Sequence, residues 1–196
     1  MQEIPGTTEW RKAMRQELIE ARQAIPVAAR QEADARLTER LDALIGDVKG
    51  LTISLYWPFR GEPDLRKWAT ACRDRGASLA LPVVVAKAAP LEFRRWTPGD
   101  KLEKGVWNIP IPPGSAEVVA PDIVLAPVVG LDDAQFRLGY GGGFFDRTIA
   151  SLRDKGHNPR VIGVGYAQQK MKTIHPHEFD IPMDDAVLID ATAHSE

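Results

Sequence analysis

Asp122-Ile123-Val124-Leu125-Ala126-Pro127-Val128-Val129 opens the stretch that decides the fold. It is a short, continuous apolar run, the pattern of a strand covered on both faces. Arg137-Leu138-Gly139-Tyr140-Gly141-Gly142-Gly143-Phe144-Phe145-Asp146-Arg147 follows, and Phe145, Ile149 and Leu152 then fall on one face of a helix. A second apolar run, Arg160-Val161-Ile162-Gly163-Val164-Gly165-Tyr166, closes the stretch. Strand, glycine-rich turn, helix and strand in that order predict parallel strands joined by a helical crossover.

Upstream the alternation continues. Trp10, Met14, Leu18 and Ala21 share a helical face, with Thr7 or Thr8 as its cap and Pro26 beyond its end. Leu37, Leu41, Leu44 and Ile45 mark a second helix, and Leu65, Trp68 and Cys72 a third. Residues 51–57 and 78–85 read as strands, residues 91–96 as an edge strand and residues 186–189 as a last short strand. Residues 97–121 hold Pro98, Gly99, Pro110, Pro112, Pro113 and Gly114, and read as an extended excursion. The predicted fold is α/β, a three-layer α/β/α sandwich around a mostly parallel sheet, in one domain over residues 1–196. Ligands on such sheets sit beyond the carboxyl ends of the strands, and the glycine cluster follows such an end.

With 196 residues, 44% hydrophobic and 27% charged, the chain has ordinary globular composition. A net charge of -2 gives no overall attraction for nucleic acid, so any anion site must be built locally. The single Cys72 has no partner for an internal disulfide, and no apolar run approaches the ~18 residues of a membrane span. Placement in the cytoplasm is expected, with no membrane and no nucleic-acid partner.

Gly139, Gly141, Gly142 and Gly143 permit positive φ and close approach of backbone amides to a ligand. The helix start beside them adds unpaired N–H groups and the positive end of the dipole. The segment reads as a phosphate cradle flanked by Arg137 and Arg147, or as a tight turn that merely needs glycine. It is neither a Walker loop, lacking Gly-Lys-Ser/Thr, nor a dinucleotide fingerprint, because Phe144 takes the third glycine's place. A carboxylate beside a phosphate calls for a bridging cation, so Asp146 either binds Mg²⁺ or stabilises the helix start. Arg11, Arg15 and Arg22 share a helical face, with Lys12 to one side. Such a stripe reaches into a cleft or forms a solvated face. His175 and His177 have zinc-like spacing without a nearby cysteine, and Cys72 reads as a core residue.

Five segments in order resemble the 5-formyltetrahydrofolate cyclo-ligase, or methenyltetrahydrofolate synthetase, family. Trp10-Arg11-Lys12-Ala13-Met14-Arg15 is similar to its opening basic helix, and residues 56–62 to its substrate segment. Residues 91–105 and Phe179-Asp180-Ile181-Pro182-Met183-Asp184 resemble two further stretches, and residues 137–147 carry the most specific match. The resemblance implies a single α/β/α domain that uses ATP and Mg²⁺ to convert 5-formyltetrahydrofolate into 5,10-methenyltetrahydrofolate, releasing ADP and phosphate. By position, Arg11, Lys12, Ala13, Met14 and Arg15 would hold ATP. So would Arg137, Leu138, Gly139, Tyr140, Gly141, Gly142, Gly143, Phe144 and Phe145. Trp57, Glu62, Tyr140, Gly141, Gly142, Gly143 and Phe144 would hold the folate, and Asp146 and Asp184 the Mg²⁺. Arg15 and Arg147 would serve the phosphoryl group in flight.

That chemistry needs no side-chain nucleophile, because phosphoryl transfer rests on positioning and charge neutralisation. The small-molecule partners are then ATP and the folate, with the protein a monomer or a small homo-oligomer. Trp57 reads as an aromatic wall for a flat ring or as core, Tyr56 and Phe59 as core, and Glu62 as an acceptor for ring nitrogens or an exposed loop acid. Ile111 replaces an acid common in the family, Gln135 a glycine, Phe144 and Phe145 two tyrosines, and Ile189-Asp190 stands where Thr-Glu is common. These changes border the second substrate, so the alternative reading is a nucleotide- or folate-binding paralogue with another substrate or little turnover.

Overall fold

A computed structural model describes residues 7–192. A six-stranded sheet takes β1 (Thr52–Ser54), β2 (Ser78–Val83), β3 (Glu92–Arg95), β6 (Ile123–Pro127), β9 (Arg160–Tyr166) and β11 (Asp185–Ile189). Its order is β11-β9-β6-β1-β2-β3, and every pairing is parallel except the antiparallel edge pair of β2 with β3. Between the sheet strands lie β4 (Glu103–Lys104), β5 (Pro110–Ile111), β7 (Gly130–Asp132), β8 (Arg137–Leu138) and β10 (Lys170–Met171).

The period of two along each strand sends alternate side chains to opposite faces. Leu125 packs on one face with Ile53, Leu79 and Ile162, beneath Leu37 and Leu41 of α2 (Val27–Ile45) and Trp68 and Cys72 of α3 (Arg66–Asp74). Val124 and Ala126 pack on the other face with Ala80 and Val161, beneath Ile149 of α4 (Phe144–Asp154). Helices therefore cover both faces, giving the three-layer α/β/α sandwich. Among the described residues no helix is long and apolar enough to cross a membrane.

Two segments differ from the sequence reading. The glycine cluster does not follow β6 directly, because the β7–β8 hairpin intervenes and pairs with β10 in a small separate sheet. Asp132 pins that hairpin. Its Oδ1 accepts from the amides of Ala134 and Phe136 and its Oδ2 from that of Ile174. Gln135, where the family favours glycine, adopts φ 67° in this turn. Residues 97–121 are not merely extended: β4 and β5 form a hairpin whose tip is the left-handed pair Trp107–Asn108, with φ 55° and 58°.

α1 (Thr7–Ala24) buries only part of the face expected. Leu18 and Ile19 are buried against Val129, Leu138 and Ile174, whereas Trp10 and Met14 are half-buried and Ala21 is exposed. Arg11 and Arg22 are buried in their place. The helix crosses loops at the carboxyl ends of the sheet, whose carbonyls and carboxylates attract guanidinium groups more than methyls.

Candidate active site

A cavity of about 430 Å³ opens beyond the carboxyl ends of β1, β2 and β6, where Tyr56, Trp57, Pro82 and Pro127 line it. The glycine loop and α1 line one part of it and the β4–β5 hairpin another, and the two parts meet where the Tyr140 and Trp107 ring centres lie 6.5 Å apart. An open parallel sheet places its ligands in just this crevice.

The glycine-loop end is cationic. Arg11 and Arg137 are both buried in its wall. Arg11 Nη1 donates to Asp180 Oδ2 at 2.7 Å and Nη2 to Oδ1 at 3.3 Å. Arg137 Nη2 lies 3.4 Å from Asp146 Oδ2, and its guanidinium sits 4.8 Å from the Phe145 ring centre. Among the described residues the buried Nε of each arginine finds no hydrogen-bond partner. Arg15 Nε donates to Gly139 O at 2.8 Å. Burial, then the neighbouring Arg11, lowers the Arg15 pKa, and burial lowers that of Arg137. Crowded, desolvated cations of this kind gain from an anion.

The loop's glycines are required locally. A methyl at Gly142 would stand 2.6 Å from the Phe144 ring, and Gly143 precedes α4 with φ 61°. Phe144, Phe145 and Asp146, the first residues of α4, line the cavity, and first-turn amides have no acceptor within their own helix. Arg147 is exposed and does not line the cavity. Its Nη1 donates to Gly142 O at 2.6 Å, on the outer side of the loop.

The hairpin end is aromatic with one acid. Phe59 and Trp107 stack with ring centres 6.1 Å apart and 9° between planes, and Tyr140 meets Phe59 edge-on at 5.8 Å. Glu62 is 6% exposed, so it is no loop acid at the surface. Its Oε1 accepts from Tyr140 Oη at 2.8 Å and its Oε2 from the Phe59 amide at 2.9 Å. Burial raises the Glu62 carboxyl to about 7 against the pull of Arg22, and burial with Glu62 nearby raises the Tyr140 phenol. When Glu62 is ionised, each of its oxygens retains an acceptor lobe beyond the bond it already accepts.

The structure brings Arg11, Arg15, Trp57, Glu62, Arg137, Gly139, Tyr140, Gly141, Gly142, Gly143, Phe144, Phe145 and Asp146 to one cavity. Lys12 and Ala13 are exposed on α1, while Met14 and the fully buried Leu138 pack in the small cluster under that helix. Asp184 does not join Asp146. Its Oδ2 accepts from the Val161 amide at 2.7 Å, at the amino end of β9, and it does not line the cavity. Tyr56 and Phe59, read as core, line the cavity, although Tyr56 is also buried with its hydroxyl on Pro63 O. Sequence reasoning missed Trp107, whose signal was a large aromatic in a turn-rich stretch, and Asp180 and His177 at the Arg11 end. His175 packs edge-on against Trp10, with ring centres 4.7 Å apart.

The model of the 5-formyltetrahydrofolate cyclo-ligase family matches residues 7–189. The chain belongs to the 5-formyltetrahydrofolate cyclo-ligase family. Among curated cyclo-ligases, that of Haemophilus influenzae is 26% identical over 186 residues, covering 92% of this chain and 98% of the relative. That of Mycolicibacterium smegmatis is 29% identical over 177 residues, covering 87% and 89%. The NMR structure of Aquifex aeolicus 5,10-methenyltetrahydrofolate synthetase superposes with a TM-score of 0.75 at 25% identity, covering 93% of this chain and 90% of that one. The cyclo-ligase match spans α1 to β11, so every cavity wall described above falls within it.

Proposed function

We propose that this cyclo-ligase family member converts 5-formyltetrahydrofolate into 5,10-methenyltetrahydrofolate, consuming ATP and releasing ADP and phosphate. The observation that carries the reading is the division of one cavity into two ends. One has the guanidinium-bearing Arg11, Arg15 and Arg137 beside a glycine loop, and the other has stacked aromatics beside a buried carboxyl group. The first end suits a nucleotide's phosphates, and the second suits a flat heterocycle with an N–H edge.

The formyl oxygen of the folate is a weak nucleophile, and oxide is a poor leaving group. Attack of that oxygen on the γ-phosphorus forms a P–O bond as the bond to ADP breaks. N10 then attacks the formyl carbon and loses its proton, and phosphate departs with the C–O electron pair, leaving the methenyl bridge. Arg11, Arg15, Arg137 and the amides at the start of α4 neutralise and align the triphosphate. Glu62 accepts from the N–H edge of the ring through its two free lobes, and Phe59, Trp107 and Tyr140 flank the ring's face. Arg147 swings from Gly142 O to the transferred phosphoryl group.

Among the described residues no group of three His, Cys, Asp or Glu side chains is placed to hold a metal by itself. Mg²⁺ does not require such a cage, since one or two carboxylates with substrate phosphates and water are its usual shell. Asp146 offers a carboxylate at the glycine loop and fits that role, whereas Asp184 offers no oxygen to the cavity. Bound there, the ion would offset charge on the phosphates.

The test is absorbance of the methenyl product from the protein with 5-formyltetrahydrofolate, ATP and Mg²⁺, with ADP measured in parallel. Product and ADP are expected in equal amounts. Binding of both ligands with no product would contradict the proposal and favour a binding paralogue.

A further inference from the structure

Arg22 stands outside every role assigned so far, yet it is the most completely buried cation of the site region, at 1% exposure. It leaves the last turn of α1 and spans three segments. Nε donates to Arg60 O at 3.0 Å, Nη1 to Val128 O at 3.0 Å and Nη2 to the Tyr140 hydroxyl. Among the described residues its ion-pair partner is Glu62, at a long 3.9 Å. A buried guanidinium without a close counter-ion is costly compared with an apolar side chain of similar volume.

Direction is what these bonds supply. Guanidinium nitrogens only donate, so the Tyr140 oxygen must accept from Arg22 and its proton must point elsewhere. It points at Glu62 Oε1. The same guanidinium holds Arg60, whose φ of 48° is left-handed, through its carbonyl. Arg60 lies between Phe59, whose amide engages the other Glu62 oxygen, and the Gly61-Glu62 turn. Both contacts that orient the Glu62 carboxylate thus run back to one side chain.

We propose that Arg22 is a positioning residue: it locks the Tyr140 hydroxyl and the 59–62 turn so that Glu62 presents its two free acceptor lobes to the N–H edge of the substrate ring. The identity of that ring rests on the folate reading above, whereas the hold of Arg22 on Glu62 does not. The charged and titratable groups that act on Glu62 are Arg22, Arg137, Tyr140 and Tyr56. Arg22 is the cation that most favours its ionisation.

The test uses the full chain with Arg22→Met and Arg22→Lys. The Glu62 carboxyl is titrated by ¹³C NMR without ligands, and KM values for 5-formyltetrahydrofolate and ATP are measured across pH. In the wild type the carboxyl titrates near 7. In Arg22→Met it is expected about one unit or more higher, since an opposite charge at this range lowers a carboxyl by that much. The folate KM at neutral pH is expected to rise about tenfold with the ATP KM unchanged, the cost of one or two misaligned charged hydrogen bonds. An unmoved titration and an unmoved folate KM, with only a lower Tm, would overturn the proposal and leave Arg22 as a mere tie between α1 and the loops it bonds. Should Arg22→Met not fold, Arg22→Lys decides. It keeps the charge but not the three-way reach, so a raised folate KM supports the proposal and a wild-type one overturns it. Failure of the folate reading shows separately, as wild-type protein that makes no methenyl product, and the unliganded titration still decides the hold on Glu62.

Discussion

Glu62 joins burial to ionisation within one side chain. Its carboxyl is raised from an ordinary 4.5 to about 7, so the folded protein holds a proton there that the unfolded chain has released. Stability from this group is therefore fully present below 4.5 and is lost as pH rises through 7. Glu62→Gln removes the titration, so its stability relative to wild type should increase by about 3 kcal/mol between pH 4.5 and pH 8. Urea unfolding at the two ends of that window checks this, and parallel pH profiles would contradict it. Arg147 is the opposite kind of residue, exposed and bonded only to a loop carbonyl. Arg147→Ala should leave Tm within about a degree or two, as surface changes do. Turnover should nonetheless fall on the order of 10²-fold if the guanidinium meets the moving phosphoryl group. Steady-state kinetics beside a melting curve separate the two effects, and wild-type turnover would remove Arg147 from the mechanism.

Among the elements, the β4–β5 hairpin carries function where local conformation is unfavourable. Trp107 is 57% exposed and left-handed at φ 55°, a geometry costing a non-glycine residue roughly 1–2 kcal/mol. Its stacking on Phe59 offsets about 1 kcal/mol of that. Trp107→Gly should consequently leave Tm nearly unchanged while raising the folate KM about tenfold. A loss of several degrees, or an unchanged KM, would show that the ring serves the hairpin and not the ligand. This hairpin was illegible in sequence because its strands are two residues each and its tip uses Trp and Asn where glycine would have announced a turn. The long elements were legible for the opposite reason. Leu37 and Leu41 repeat at helical spacing, and residues 123–127 form an unbroken apolar run, because each packs into an apolar cluster. The β7–β8 hairpin escaped notice because Asp132, a side chain reaching back to three amides, does the work that a strand pattern would signal.

Across the whole molecule, the site is assembled from α1, the ends of three sheet strands, the hairpin and the glycine loop, so its pieces are scattered from Thr8 to Asp180. The glycine cluster and the arginines of α1 declared themselves through spacing, but their facing one another could not be read from a linear pattern. Helical phase put Arg11, Arg15 and Arg22 together without saying whether water or a cleft lay opposite. Phase also gave no sign that Asp184 would turn to Val161 while Asp180 turned to Arg11. The assembled cavity sets a cationic cradle and an aromatic, carboxyl-bearing pocket side by side, and the proposed reaction has two substrates react directly with each other there. The most direct test of that claim is the fate of the formyl oxygen. With 5-formyltetrahydrofolate labelled by ¹⁸O in its formyl group, one turnover with ATP should place the label in the released inorganic phosphate, read by mass spectrometry. Unlabelled phosphate formed alongside methenyl product would contradict transfer of the phosphoryl group to that oxygen.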